Sequence, residues 1–303
     1  MSEKKKNIFD KLQEFADKQD FESEEEAFKA IEMYLNNIML NEEEYELDEY
    51  AYLAKAMESE DSERRMEFIK KSLEINPDFV EAKLFLLMNN DIEDPEKLQL
   101  NIEKILNEEE QRLKKEGITE EEYLGKYYEI DESQGYISAY ETYIRCLRLQ
   151  GKMRKAAEAC RKVCRLDEDD NLEVRYSLIA IYAFLEEEKM AEDLYKKYSE
   201  ESSRMLLPMI ALYYKLGDEE KAISYLNILH KKTKGLKQAV KILKEAEEKI
   251  EDIMNLPYCK PNSKEDLIRS FMEASFVYET IPNFLNWMEE LIPTKKVPKK
   301  KKK

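Results

Sequence analysis

Along most of this chain, apolar residues recur at spacings of three and four, the period of helices that bury one face and solvate the other. From Tyr140 onward the spacing becomes repetitive. Tyr140, Tyr143, Ile144 and Leu147 precede Gly151, and Ala156 and Cys160 follow it, the large-then-small order of a helix-turn-helix unit of about 34 residues. Arg175, Leu178, Ile179 and Tyr182, with Ala191 and Tyr195, make a second copy. Leu206, Met209, Ile210 and Tyr213, then Gly217, Ala222 and Leu226, make a third. Ala156, Ala191 and Ala222 mark the register. A small side chain there lets the second helix of a pair lie close to the first, and a bulky one would push them apart.

Upstream the pattern is weaker. In SLEINPDFVEAK, Pro77 ends one helix and an apolar helix runs from Phe79 to Met88, with Tyr52, Leu53 and Ala56 at matching spacing before it. Arg65 stands where the small residue should be, an irregularity suited to the end of an array. Pro95 to Glu116 reads as one long helix with Leu98, Ile102, Ile105 and Leu106 along one stripe. Gly117, Gly125 and Gly135 punctuate the next stretch, which holds an acidic linker from Thr119 to Glu132. After the third copy, Gly235 and the charged run to Glu251 predict a further helix. Pro257 and Pro261 then break the pattern, and Asn262 or Ser263 caps a helix carrying Leu267, Phe271 and Phe276. Pro282 opens the last turn, with Phe284, Trp287 and Leu291 apolar. The expected plan is a helical segment over 1–45, irregular repeat-like helices over 46–132, the array over 133–252, a closing helical unit over 253–292, and a disordered basic tail over 293–303.

Composition narrows the class. Only 6 Gly and 8 Pro occur in 303 residues, too few for the turns of a many-stranded protein, and 39% of residues are charged beside 43% hydrophobic. An all-α chain with solvated outer faces follows. The net charge of −17 opposes nucleic acid and anionic membranes at long range. No window approaches the ~20 apolar residues of a membrane span, and the amino end MSEKKKNIFDKLQEF lacks the apolar stretch of a signal peptide. Four sparse cysteines suit a reducing compartment, so the cytoplasm is the expected location.

These residues carry a resemblance. The array resembles tetratricopeptide repeats, and the longer pattern is similar to the bacterial relatives of the suppressor of tumorigenicity 7 family. It rests on SLEINPDFVEAKLFLL, IRCLRLQGKMRKAAEACRKVCRLDEDDNLEVRYSL, YCKPNSKEDLIRSF and IPNFLNWM, which together span most of residues 45–292. The run Asp170-Asn171 followed by Val174-Arg175-Tyr176 is the narrower match. Glu168 replaces a proline expected between repeats, Glu173 a small residue, and Tyr140 a tryptophan. The resemblance implies a right-handed helical solenoid that binds other proteins, and it does not imply an established biochemical activity. Animal members are associated with membranes, an association for which this chain offers no span.

Candidate chemistry is sparse. The single histidine, His230, has no second imidazole for a metal pair and reads as a polar residue near a helix end. Cys160 and Cys164 share a helical face and, with Cys146, would hold a soft metal only if a fourth ligand joined them; as packing positions of one repeat they read as small buried hydrophobes. With 67 acidic residues, carboxylate pairs arise by chance on every exposed face. No glycine-rich phosphate loop occurs. We therefore expect no catalytic residue, no metal and no cofactor.

Charge reverses locally. Tyr136 to Leu166 carries eight basic residues (Arg145, Arg148, Lys152, Arg154, Lys155, Arg161, Lys162 and Arg165) and two acidic ones, Glu141 and Glu158. Either the acidic flanks neutralise this hairpin or it faces a partner. In arrays of the kind this chain resembles, the first helix of each pair lines the concave wall, where its inner positions are Glu141 and Arg145, Tyr176 and Ala180, Leu207 and Ala211, then Arg148, Phe184 and Tyr214. Arg145, Arg148, Arg175, Tyr176, Arg204 and Tyr214 are thus the expected peptide-binding set, suited to an acidic or extended segment of another protein held by charge-assisted bonds beside aromatic rings. Glu141 and Ala180 do not reproduce the Lys and Asn of the carboxylate clamp in chaperone-binding repeats. The alternative is a nucleic-acid- or surface-associated accessory protein acting through the seven lysines between Lys295 and Lys303.

Overall fold

The computed structural model describes residues 8–19, 21, 23–40, 47–90 and 94–292; every regular element is helical, and no strand occurs among the described residues. The chain divides into two compact units between Gly151 and Lys152. That division lies inside the stretch 133–252, at the glycine expected to turn the first helix pair.

The first unit contains α1 (Ile8–Ala16), α2 (Glu24–Leu40), α3 (Glu49–Glu58), α4 (Ser62–Ile75), α5 (Val80–Asn90), α6 (Pro95–Lys115), α7 (Glu120–Tyr123), a 3-10 turn at Tyr127–Glu129, and α8 (Asp131–Leu149). Asp48, Asp61 and Asp94 start α3, α4 and α6, their carboxylates accepting from the N–H groups of Ala51, Arg64 and Lys97. Pro95 sits in the first turn of α6, where its missing N–H costs nothing. The long helix expected from Pro95 is therefore present, and Leu98, Ile102 and Leu113 are buried on it while it packs against α5 and α8. Arg65, in the place of a small residue, reaches across instead: its Nη2 donates to Ser59 O at 2.7 Å and its Nη1 to Asn89 Oδ1 at 3.2 Å.

Two expectations for this unit are corrected. Thr119 to Glu132 is not a plain linker, because it forms α7, the 3-10 turn and the start of α8. Gly135 does not punctuate a loop; it lies inside α8, where a Cβ would come within 3.0 Å of Val80 on α5. The glycine serves close helix approach rather than a turn.

The second unit contains α9 (Met153–Leu166), α10 (Val174–Leu185), α11 (Glu188–Tyr198), α12 (Ser203–Leu216), α13 (Glu219–Lys232), α14 (Leu236–Glu245), α15 (Glu247–Met254), α16 (Lys264–Glu273), α17 (Ser275–Tyr278) and α18 (Phe284–Leu291). α10 packs against α9, α11 and α12, and α12 against α13. Ala156, Ala191 and Ala222 are fully buried. Between α9 and α10, Asp167 accepts from the backbone and side-chain amides of Asn171 at 2.6 and 2.8 Å, which shapes the turn that aims α10. Ser263 is the residue that caps α16, accepting from Asp266 N. The helix expected after Gly235 is two helices, broken at Ala246, and the one expected to carry Phe276 ends at Glu273, leaving Phe276 on α17.

The last helices turn back on α10, α12 and α14. α16 and α17 pack against α12, α17 also against α10, and α18 packs against α14. Consequently α12 is buried from Met205 through Tyr213 without a solvated stripe, the signature of a helix enclosed on all sides.

Candidate functional site

The inner wall expected to be an open groove is closed over in this unit. Ala180, Leu207 and Ala211 are no more than 1% exposed, and Phe184 meets Phe276 of α17 at 5.8 Å. Tyr214 stacks its edge on Phe284 at 5.5 Å and lies 4.9 Å from Trp287, while its hydroxyl donates to Pro282 O at 3.3 Å. The wall needed apolar cover, and the chain's own α16–α18 supply it. Sequence spacing could place residues on the wall but carried no sign of what lies on top.

At the amino-terminal ends of α10 and α12, by contrast, three of the expected residues come together. Two guanidinium groups lie against the Tyr176 ring, Arg175 with its carbon 4.2 Å from the ring centre and Arg204 at 3.9 Å. Arg175 Nη2 donates to the Tyr176 hydroxyl at 2.7 Å, and that hydroxyl donates to Glu200 Oε1 at 2.6 Å. Arg175 Nε also donates to Glu200, at 3.1 Å, and Nη1 to the buried Asp170 at 2.9 Å. Burial, then the bond to Glu200, pushes the Tyr176 phenol up to about 12, so it stays neutral. Arg204 pairs with Glu173 and, through Nε at 3.2 Å, with Glu273 of α16. Its side chain remains 33% exposed, and Glu173 and Glu273 are 49% and 42% exposed.

Of the carboxylates that anchor this cluster, Glu200 was not singled out by the sequence, and Glu173 was noted only as a departure from a small residue. Glu200 sits in the loop between α11 and α12, outside any repeat position. Glu173 adopts φ 55°, the left-handed region, which gives a physical reason for the small residue expected there, and its carboxylate reaches both arginines.

The remaining candidates sit on α8 in the first unit, Arg145 exposed and Arg148 half-buried. On α9, Arg154 pairs with Glu187 at 3.2 Å, whereas Lys155 and Arg165 are exposed and form no ion pair among the described residues. The basic stretch is thus partly neutralised internally. Residues 293–303, with the lysine tail, lie outside the described residues.

Cys146 and Cys160 are buried and Cys164 half-buried. Burial and then Asp170 push the Cys164 thiol up to about 12, so it is not a thiolate at neutral pH. Among the described residues no three His, Cys, Asp or Glu side chains gather as metal ligands, and no helix is long and apolar enough to cross a membrane. His230 lies half-buried in the last turn of α13. No protein-family model matches the chain, and no curated protein matches it significantly.

Proposed function

We propose that this chain is a protein-binding scaffold of tetratricopeptide-like helix pairs, wound right-handed as in the families it resembles, and that it takes an acidic segment of another protein at the Arg175–Tyr176–Arg204 edge. It does so without catalysis. The buried alanines of α11 and α13 support the repeat reading, since each permits the close pairing that such repeats need.

One observation carries the binding site. Arg204 is stacked on Tyr176, yet its two carboxylate partners, Glu173 and Glu273, are themselves about half open to water. Exposed pairs of this kind contribute only ~0–1 kcal/mol, so a partner's carboxylate can replace one of them at little cost while the ring keeps the guanidinium oriented. Arg175 is different: its bonds to Asp170 and Glu200 make it the fixed support of Tyr176 rather than the exchanging cation.

The test is titration of the full chain with a dye-labelled acidic peptide. Arg204→Glu is expected to weaken binding about tenfold or more, and rising salt to weaken the wild-type complex. Equal affinity of the variant and the wild type would remove the site.

A further inference from the structure

A second feature lies elsewhere in the same unit and has the opposite charge. Where α14 breaks at Ala246 into α15, the bend faces α16, α17 and the start of α18 across an open cleft of about 780 Å³. Leu243, Ile250, Phe271, Met272, Tyr278 and Phe284 supply its apolar lining. The floor is aromatic: Tyr278 stacks between Phe271 at 4.3 Å and Phe284 at 5.8 Å.

Tyr278 is only 4% exposed, and its hydroxyl is buried with no hydrogen-bond partner. Desolvation holds that phenol well above its ordinary pKa, so it remains a proton donor. Around the mouth stand Glu245, Glu247 and Glu279, all exposed and without an ion pair among the described residues. The one lysine of the lining, Lys244, is neutralised by Glu289 at 2.5 Å.

Because one side is open, the cleft cannot enclose a small molecule in the way that small-ligand sites do. An aromatic floor under a ring of carboxylates fits instead an apolar side chain carried on a segment with flanking Lys or Arg, laid in as a helix in a groove. We infer that the α14–α18 cleft docks a basic amphipathic helix of a partner protein, seating an apolar residue on Phe271, Tyr278 and Phe284 beneath the Glu245–Glu247–Glu279 rim.

The probe is a dye-labelled amphipathic peptide of leucine and lysine, about 18 residues long, titrated against the full chain and followed by anisotropy. Saturable binding with Kd below about 100 µM is expected. The surface pair Glu247→Lys with Glu279→Lys should weaken it about tenfold or more. Wild-type affinity in the charge-reversed pair, or no saturable binding by the wild type, would overturn the inference. Binding that emerges only after residues 295–303 are removed would overturn it as well, by giving the cleft to the chain's own lysines. The leucine–glutamate counterpart of the peptide reports on the Arg204 edge, so either site can fail while the other stands.

Discussion

Arg175 holds Asp170 in two ways at once: its backbone N–H and its Nη1 both donate to Asp170 Oδ2, at 3.1 and 2.9 Å. The carboxylate thereby caps the start of α10 and pairs with the guanidinium that supports Tyr176. Asp170 itself sits at φ 54° with its side chain fully buried, so the pair fixes both the helix start and the turn before it.

Arg175→Ala should therefore destabilise the second unit by about 3–5 kcal/mol, chiefly because a buried carboxylate loses its cation. Burial already raises the Asp170 pKa against the pull of Arg175, and the variant raises it further. A folded-state pKa above the unfolded one means that the folded state binds the proton more tightly, so stability falls as pH rises through the carboxylate range. The loss should be largest near neutral pH and shrink toward about pH 3–4. Urea unfolding followed through Trp287, which lies in this unit, measures both; an equal loss at both pH values would clear Asp170 of responsibility.

This pair also marks what a sequence can disclose. Asp170, Asn171, Val174, Arg175 and Tyr176 stand out only as a run matching the resembled family, and the structure gives Asp170, Asn171 and Arg175 local bonds within that turn and helix start. Ala191 and Ala222 stand out because close helix pairing depends on a single position. Glu200 and Glu273 do not, since what matters about them is a contact across 25 residues or more. The closing helices were legible as helices, but their seat on α10 and α12 was not. Amphipathic spacing records that a face is buried and leaves the burying partner unspecified.

The register alanines give the sharpest test of the helix pairing. Ala191→Leu and Ala222→Leu each add bulk where exposure is already zero, and each should destabilise the second unit by about 1–3 kcal/mol. Ala→Leu at an exposed helical position would be close to neutral, because both residues favour helix. Urea midpoints that barely move for Ala191→Leu and Ala222→Leu would mean that the pairs are not close-packed there.

Glu192, on α11, offers a pH-dependent test in the same unit. The Tyr213 hydroxyl, then Lys196 at 3.2 Å, hold its carboxyl down at about 2, and Lys221 adds a contact at 3.3 Å. A folded-state pKa below the unfolded one contributes stability that is complete above the unfolded value and lost as pH falls from about 5 through about 2. Tyr213→Phe removes the hydroxyl that donates to this carboxylate, so an NMR titration of Glu192 should move toward the ordinary carboxylate value near 4.3. A titration unchanged by the substitution would give the lysines the whole effect.

Trp287, the chain's single tryptophan, reports whether α16–α18 stay seated on the wall of α10 and α12. Tyr214, from α12, meets it and Phe284 at 4.9 and 5.5 Å, so Tyr214→Ala strips one side of a half-buried indole. Its emission should shift to longer wavelength, with a loss of about 1–3 kcal/mol in the second unit. In the wild type, α16 and α17 pack against α12, and α17 against α10. Trp287 fluorescence and hydrogen exchange of the α10 and α12 amides should therefore share one urea midpoint, as parts of one cooperative unit do. An earlier Trp287 transition, with α10 and α12 still protected, would mean that the closing helices lift off as a body. The apolar wall beneath them would then be a surface that the chain exposes on opening, and the groove expected from the repeats would exist in that opened state.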